Sequence, residues 1–153
     1  MTDELKVVSA SRTIAAPVKV IFELIADPSK QPSWDGNDNL VEAPLGQRIH
    51  AVGQTFTMLT TKGNVRVNHI VEFDECTRIA WMPAEVDGPP FGHLWRWELE
   101  PLDDGTTAVT HTYDWSKLTD EGRFPRARWT TSDRLMESVN RLADRAQSSA
   151  GER

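Results

Sequence analysis

The apolar positions change their period along the chain, and each change marks an element. Leu5–Ile14 is β-rich and reads as a first strand, broken by Ala15-Ala16-Pro17. Val18, Ile21, Phe22 and Ile25 then recur at helical spacing through Ala26, and Pro17 suits a helix start. Asp27-Pro28 stops that helix, Ser29–Trp34 offers one more short helical turn, and Asp35–Asn39 is a loop by composition. From Leu40 the period becomes two. Leu40–Ala43, Arg48–Val52, Gln54–Thr61, Val65–Phe73 and Arg78–Val86 read as strands or strand pieces. In the Val65 strand the apolar residues occupy odd positions, so Val65, Val67, His69, Val71 and Phe73 are expected inward.

The clearest hairpin follows. His93, Trp95, Trp97 and Leu99 alternate with Leu94, Arg96, Glu98 and Glu100, and Thr107, Val109, His111, Tyr113 and Trp115 form the returning aromatic face. Both odd sets must face one side, which requires an odd loop length. A three-residue loop, Asp103-Asp104-Gly105, with Gly105 left-handed satisfies it and sets Trp97 against His111, Trp95 against Tyr113 and His93 against Trp115. Finally Leu135, Val139, Leu142 and Ala146 form an apolar stripe, with Met136 and Ala143 beside it, and predict one amphipathic helix over Pro125–Gln147. Ser148–Arg153 is a polar tail expected to fray. Helices at the ends of a run of strands indicate α+β, with the last helix laid across the aromatic sheet face.

Composition narrows the function. The chain has 153 residues, enough for one domain. A net charge of −6 disfavours nucleic acid or an anionic membrane surface as partner. No apolar run is long enough for membrane insertion. The N-terminal MTDELKVVSA lacks the pattern of a secretory signal, and Cys76 stands alone, so a cytoplasmic location is expected. Six tryptophans against one tyrosine is the unusual count; four of them, Trp81, Trp95, Trp97 and Trp115, fall in the strand region.

The order SRTIAAPVKVIFELIADPSKQPSWDG carries Arg12, Ile14, Ala16-Pro17, Ile21-Phe22, Asp27-Pro28 and Trp34 at the spacing of a START-like (SRPBCC) opening. Gly53 before a strand, Ile79-Ala80-Trp81, the Trp95/Trp97 strand and GTTAVTHTYDW at Gly105–Trp115 continue the pattern. Over nearly its whole length the chain resembles the polyketide cyclase/dehydrase and lipid-transport type of that superfamily, in its uncharacterised actinobacterial form. The resemblance implies a helix-grip fold: a curved seven-stranded antiparallel sheet around a long C-terminal helix, two short helices after the first strand, and commonly a cavity between. It implies one START-like domain over 1–153, with an ordered core of about 4–147. It does not imply one activity, because the superfamily spans carriers, receptors, cyclases and other roles.

The chemistry must then come from the site. There is no Gly-rich phosphate loop, HExxH, CxxC or GxSxG. His69, His93 and His111 share the expected inward register. His69 or His111 with Tyr113 could serve as general acid or base, although a hydrogen-bonded core histidine is the commoner case. A metal site is not expected, nor a cofactor. The expected ligand-contacting set is Trp34, Phe56, Met58, His69, Trp81, His93, Trp95, Trp97, His111, Tyr113, Leu135, Met136 and Val139; the pattern leaves open whether Phe56 or Leu59 points inward. Arg123, Arg126 and Arg128 could pair with nearby acids, line a cavity mouth for an acidic ligand, or form a solvated face, the commonest outcome. Three functions remain: a small-molecule binding protein with an apolar or aromatic cavity between sheet and C-terminal helix for a lipid-like, aromatic or polyketide-like ligand, a polyketide cyclase or dehydratase using His/Tyr acid–base chemistry in the same cavity, and a protein-interaction module with a filled core. Homodimerisation through a sheet edge would be a special case of the last.

Overall fold

A computed structural model describes residues 5–34, 40–43 and 45–151, and the loop expected at Asp35–Asn39 lies outside them. The architecture is α+β, a curved antiparallel sheet with a C-terminal helix. The strands are β1 Val7–Ile14, β2 Leu40–Glu42, β3 Thr55–Thr60, β4 Val65–Asp74, β5 Arg78–Ala84, β6 Leu94–Pro101 and β7 Thr107–Asp114, in the order β1-β7-β6-β5-β4-β3-β2. Six of these run for six to ten residues; β2, with three, is only a short edge ladder on β3. The expected full seven-stranded sheet is thus met by six long strands. Arg48–Val52 is not a strand. Its Ile49 N–H is taken by Ala26 O at 2.9 Å, and the side chain plugs the core beneath the first helix.

Two short helices follow β1 as expected, α1 (Val18–Ala26) and a 3-10 helix over Pro28–Ser33. Asp27 joins them, its carboxylate accepting from Ser29 N–H at 3.1 Å and Ser29 O–H at 2.7 Å. Trp34 closes the unit by donating its indole N–H to Leu24 O at 2.9 Å.

The C-terminal helix departs from expectation at both ends. The segment is split into α2 (Phe124–Trp129) and α3 (Ser132–Gly151), and α3 runs past Gln147 into the tail. The break has a local cause. Thr130 leaves the helical region and donates its hydroxyl to Arg126 O at 2.9 Å. Thr131 then starts α3, its hydroxyl accepting from Arg134 N–H at 3.4 Å. Two threonines before Ser-Asp form an N-cap signal inside what the apolar stripe alone reads as one helix. α3 packs on β1, β7 and α1. Arg12 donates to Asn140 at 2.8 Å and Gln147 accepts from Ala15 N–H at 3.1 Å, which pins it there. Leu135, Val139, Leu142, Ala143 and Ala146 are buried without residual exposure.

The β6–β7 hairpin has the expected register: Trp97 faces His111 and Trp95 faces Tyr113. Leu102 N–H bonds Thr106 O across the three-residue loop, with Gly105 at φ +81°. The β4 register is the reverse of the odd-inward expectation. β3 turns its Phe56, Met58 and Thr60 inward, which also settles Phe56 over Leu59. Phe56 pairs with Asn68 and Met58 with Arg66, so the even positions of β4 must share the inner face. Val65 and Val71 are exposed and His69 is half-buried on the outer side. A bulge between Ile70 and Glu72 then shifts the phase, and Phe73 faces inward against Phe22.

Two glycines test the loops separately. Both Gly105 and Gly92 have positive φ, but a Cβ at Gly105 meets open space, whereas one at Gly92 would sit 2.3 Å from Lys117 O. Gly105→Ala should cost about 1–2 kcal/mol by urea denaturation, from the left-handed backbone alone. Gly92→Ala should cost clearly more, because the 86–93 loop must also lift from Lys117.

Candidate functional site

α3 covers one flank of the inner sheet face, and the other flank encloses a cavity of about 310 Å³. β3 to β7 form its floor, through Met58, Arg66, Asn68, Trp81, Trp95, Trp97, His111 and Tyr113. The 3-10 helix contributes Gln31 and Trp34 to one wall. Leu118 and the segment around α2, with Gly122, Arg123, Arg126 and Thr130, roof it. From α3 only Ser138 reaches it. The helix break therefore matters: α2 turns off the line of α3 and roofs the space that α3 does not fill.

Eight of the sequence-expected residues line this cavity: Trp34, Met58, Trp81, His93, Trp95, Trp97, His111 and Tyr113. Five do not. Phe56 lies edge-on to Trp81 in the core, with ring centroids 5.3 Å apart. Leu135 and Val139 are core, Met136 packs against it, and His69 is on the outer face of β4. Sequence reasoning missed the polar lining, above all Gln31, Asn64, Arg66, Asn68 and Ser138. The polar even positions of β4, opposite Phe56 and Met58, were the available signal.

The inner aromatics are stacked. His111 lies parallel to Trp97 with centroids 3.7 Å apart and near-parallel to Trp95 at 5.6 Å. Trp34 meets Trp97 edge-on at 5.4 Å, and Trp95 lies 4.4 Å from Tyr113. Such rings are rigid and pre-positioned, so little ordering is needed when a flat apolar body enters.

The titratable groups are held neutral. His111 donates Nδ1–H to Arg96 O at 3.0 Å, which leaves Nε2 as an acceptor. Burial pushes its pKa down to about 3, against the smaller opposing effect of that hydrogen bond. His93 falls to about 4, through burial and then the charges of Arg123 and Arg66. Its Nδ1 is buried without a hydrogen-bond partner. Burial pushes Tyr113 up to about 12, so its phenol stays protonated. Its hydroxyl makes no hydrogen bond among the described residues. His111 Nε2 is thus left to accept and the Tyr113 hydroxyl to donate, while His93 Nδ1 takes either role with its tautomer.

Among the described residues no cluster of three His, Cys, Asp or Glu could hold a metal. No described helix is long and apolar enough to cross a membrane.

The histidine shifts fix a pH dependence. Both folded pKa values lie below the ordinary 6.5, so the unfolded chain binds more protons in acid. Stability is full above about pH 6.5 and is lost as pH falls towards the folded values, by about 1.4 kcal/mol per pH unit for each ring. Denaturation midpoints between pH 7 and 4 should show this loss, and His93→Gln should remove about half the slope.

The fold has relatives. A family model described as polyketide cyclase / dehydrase and lipid transport matches residues 6–147. An uncharacterised protein of Mycobacterium tuberculosis (strain H37Rv) is 26% identical over 119 residues, 71% of this chain and 47% of that protein. The chain thus spans about half the length of the curated relatives it matches. Among solved structures, a protein of Nitrosomonas europaea superposes with a TM-score of 0.69 at 15% identity, covering 97% of this chain and 98% of that one. A major latex-like protein of ginseng (Panax ginseng) gives 0.64 at 17% identity, covering 92% and 96%. These structures establish the shared fold. The family match extends from the first strand into the last helix, and the chain belongs to the polyketide cyclase/dehydrase and lipid-transport family.

Proposed function

We propose that this protein binds a small molecule with an apolar, flat or lipid-like body in the cavity between the sheet and the α2–α3 segment. The observation that carries this reading is the cavity itself. Its volume of about 310 Å³ sits at the small end of ligand sites. Its floor is a set of packed tryptophans with a few polar atoms among them. The space argues against an interaction module with a filled core. The ginseng relative's name and the family description add no ligand; the family carries the general reading of small-molecule handling.

Catalysis is the second reading, and the same residues weigh against it. A general base works best with a pKa near the operating pH. His111 at about 3 and His93 at about 4 are too weakly basic near neutrality, and Tyr113 at about 12 is too weak an acid. They serve better as fixed hydrogen-bond partners that orient a ligand.

Native mass spectrometry of protein purified from its own host should retain a bound small molecule. Quenching of the tryptophan fluorescence by aromatic and acyl ligands should be saturable, and Trp95→Ala should weaken binding by about tenfold through lost stacking. A clean apo mass together with unchanged fluorescence across the panel would refute the binding function. Turnover that disappears in His111→Asn while binding persists would establish the enzymatic reading instead.

A further inference from the structure

The charged lining of the cavity has one sign. Lys62, Arg66, Arg123 and Arg126 line it, and among the described residues no aspartate or glutamate does. This occurs in a chain whose net charge is −6, with 23 acidic and 17 basic residues. Chance placement would put carboxylates there as readily as cations.

The cations are also gathered. Arg66 from β4 and Arg123 from the segment before α2 both approach Phe91, at 5.5 Å and 3.5 Å from its ring centre. His93 stacks on the same ring at 5.9 Å with an interplanar angle of 3°. Arg123 reaches Glu85 at 3.5 Å and Asp120 at 3.3 Å, both largely exposed. Arg66 has no carboxylate within 4.0 Å among the described residues. Glu85 and Asp120 thus pair with Arg123 and not with Arg66, and neither lines the cavity. Burial and then the charge of Arg123 lower the pKa of Arg66, against the smaller opposing charge of Glu85. Around Trp34, Trp97 and His111 the lining is aromatic.

Resting on the binding function proposed above, we infer that the ligand is an amphipathic carboxylic acid. Its carboxylate is received by Arg66 and Arg123, and its apolar body lies against Trp95 and Trp97. Guanidinium suits a carboxylate because its N–H fork matches two oxygens.

The test is isothermal titration of the full chain with matched pairs that differ only in charge: 2-naphthoate with 2-naphthamide, and octanoate with octanamide. At neutral pH and low salt each acid should bind at least about tenfold tighter than its amide, as expected for a charge-assisted contact. High salt should reduce the advantage. Arg66→Gln should abolish it, Arg66→Lys should retain most of it, and Arg78→Gln, in an ion pair on the outer face, should leave it intact. Far-UV circular dichroism checks that each variant is folded. Should Arg66→Gln fail to fold, the acid-to-amide ratio of the unmodified protein still decides. Amides that bind as tightly as the acids overturn the carboxylate inference and leave the binding function standing. Failure of all four probes to bind overturns both.

Discussion

One helix cannot cover this sheet. Six long strands at about 4.8 Å spacing span roughly 24 Å, while a helix with its side chains is about 10–12 Å wide. α3 therefore lies against β1 and β7, and α1 closes the space beside it. Everything over the β3–β6 flank must be covered by something else. The chain uses the 3-10 helix, Leu118 and α2, none of which is long enough to fill it. The cavity follows from that mismatch in width rather than from any single residue.

The same constraint explains the chemistry of the lining. Side chains under α3 meet other apolar side chains and are fully buried, as Leu135 and Val139 are. Side chains on the uncovered flank face space, so polar groups are tolerated there. Asn68 and Tyr113 can sit at inward positions that a packed core would reject. The low polarity of the tryptophan floor in turn keeps His111 and His93 uncharged. Aromatic floor, neutral imidazoles and cationic rim form a gradient from apolar to charged across one cavity.

The strand-and-helix order, the β6–β7 register and the inward tryptophans were legible in the sequence because alternation and loop parity determine them. Trp81 and the aromatic face of the hairpin were found for that reason, whereas Trp34 came from the resemblance of the opening stretch. The β4 residues were misread because alternation assumes that inward means apolar. Where the inner face opens onto a cavity, Arg66 and Asn68 invert the pattern, while Val65 and Val71 cover the outside. Leu135 and Val139 were inward as expected, and Phe56 proved to be the inward residue of its strand, but periodicity does not separate core from cavity wall. The helix break at Thr130–Thr131 was missed because the helix start was read at Pro125, although the apolar stripe begins only at Leu135 and the threonine caps were present.

The bulge at Val71 divides β4 into two stretches with different tolerances to change. Before it, Arg66 and Asn68 line the cavity, so a change of side chain there meets open space on one side. Beyond it, Phe73 locks into Phe22 and the helical cap of the sheet, where a change in volume is felt throughout the core. A single extra residue thus lets one strand serve as cavity wall at one end and as packed core at the other.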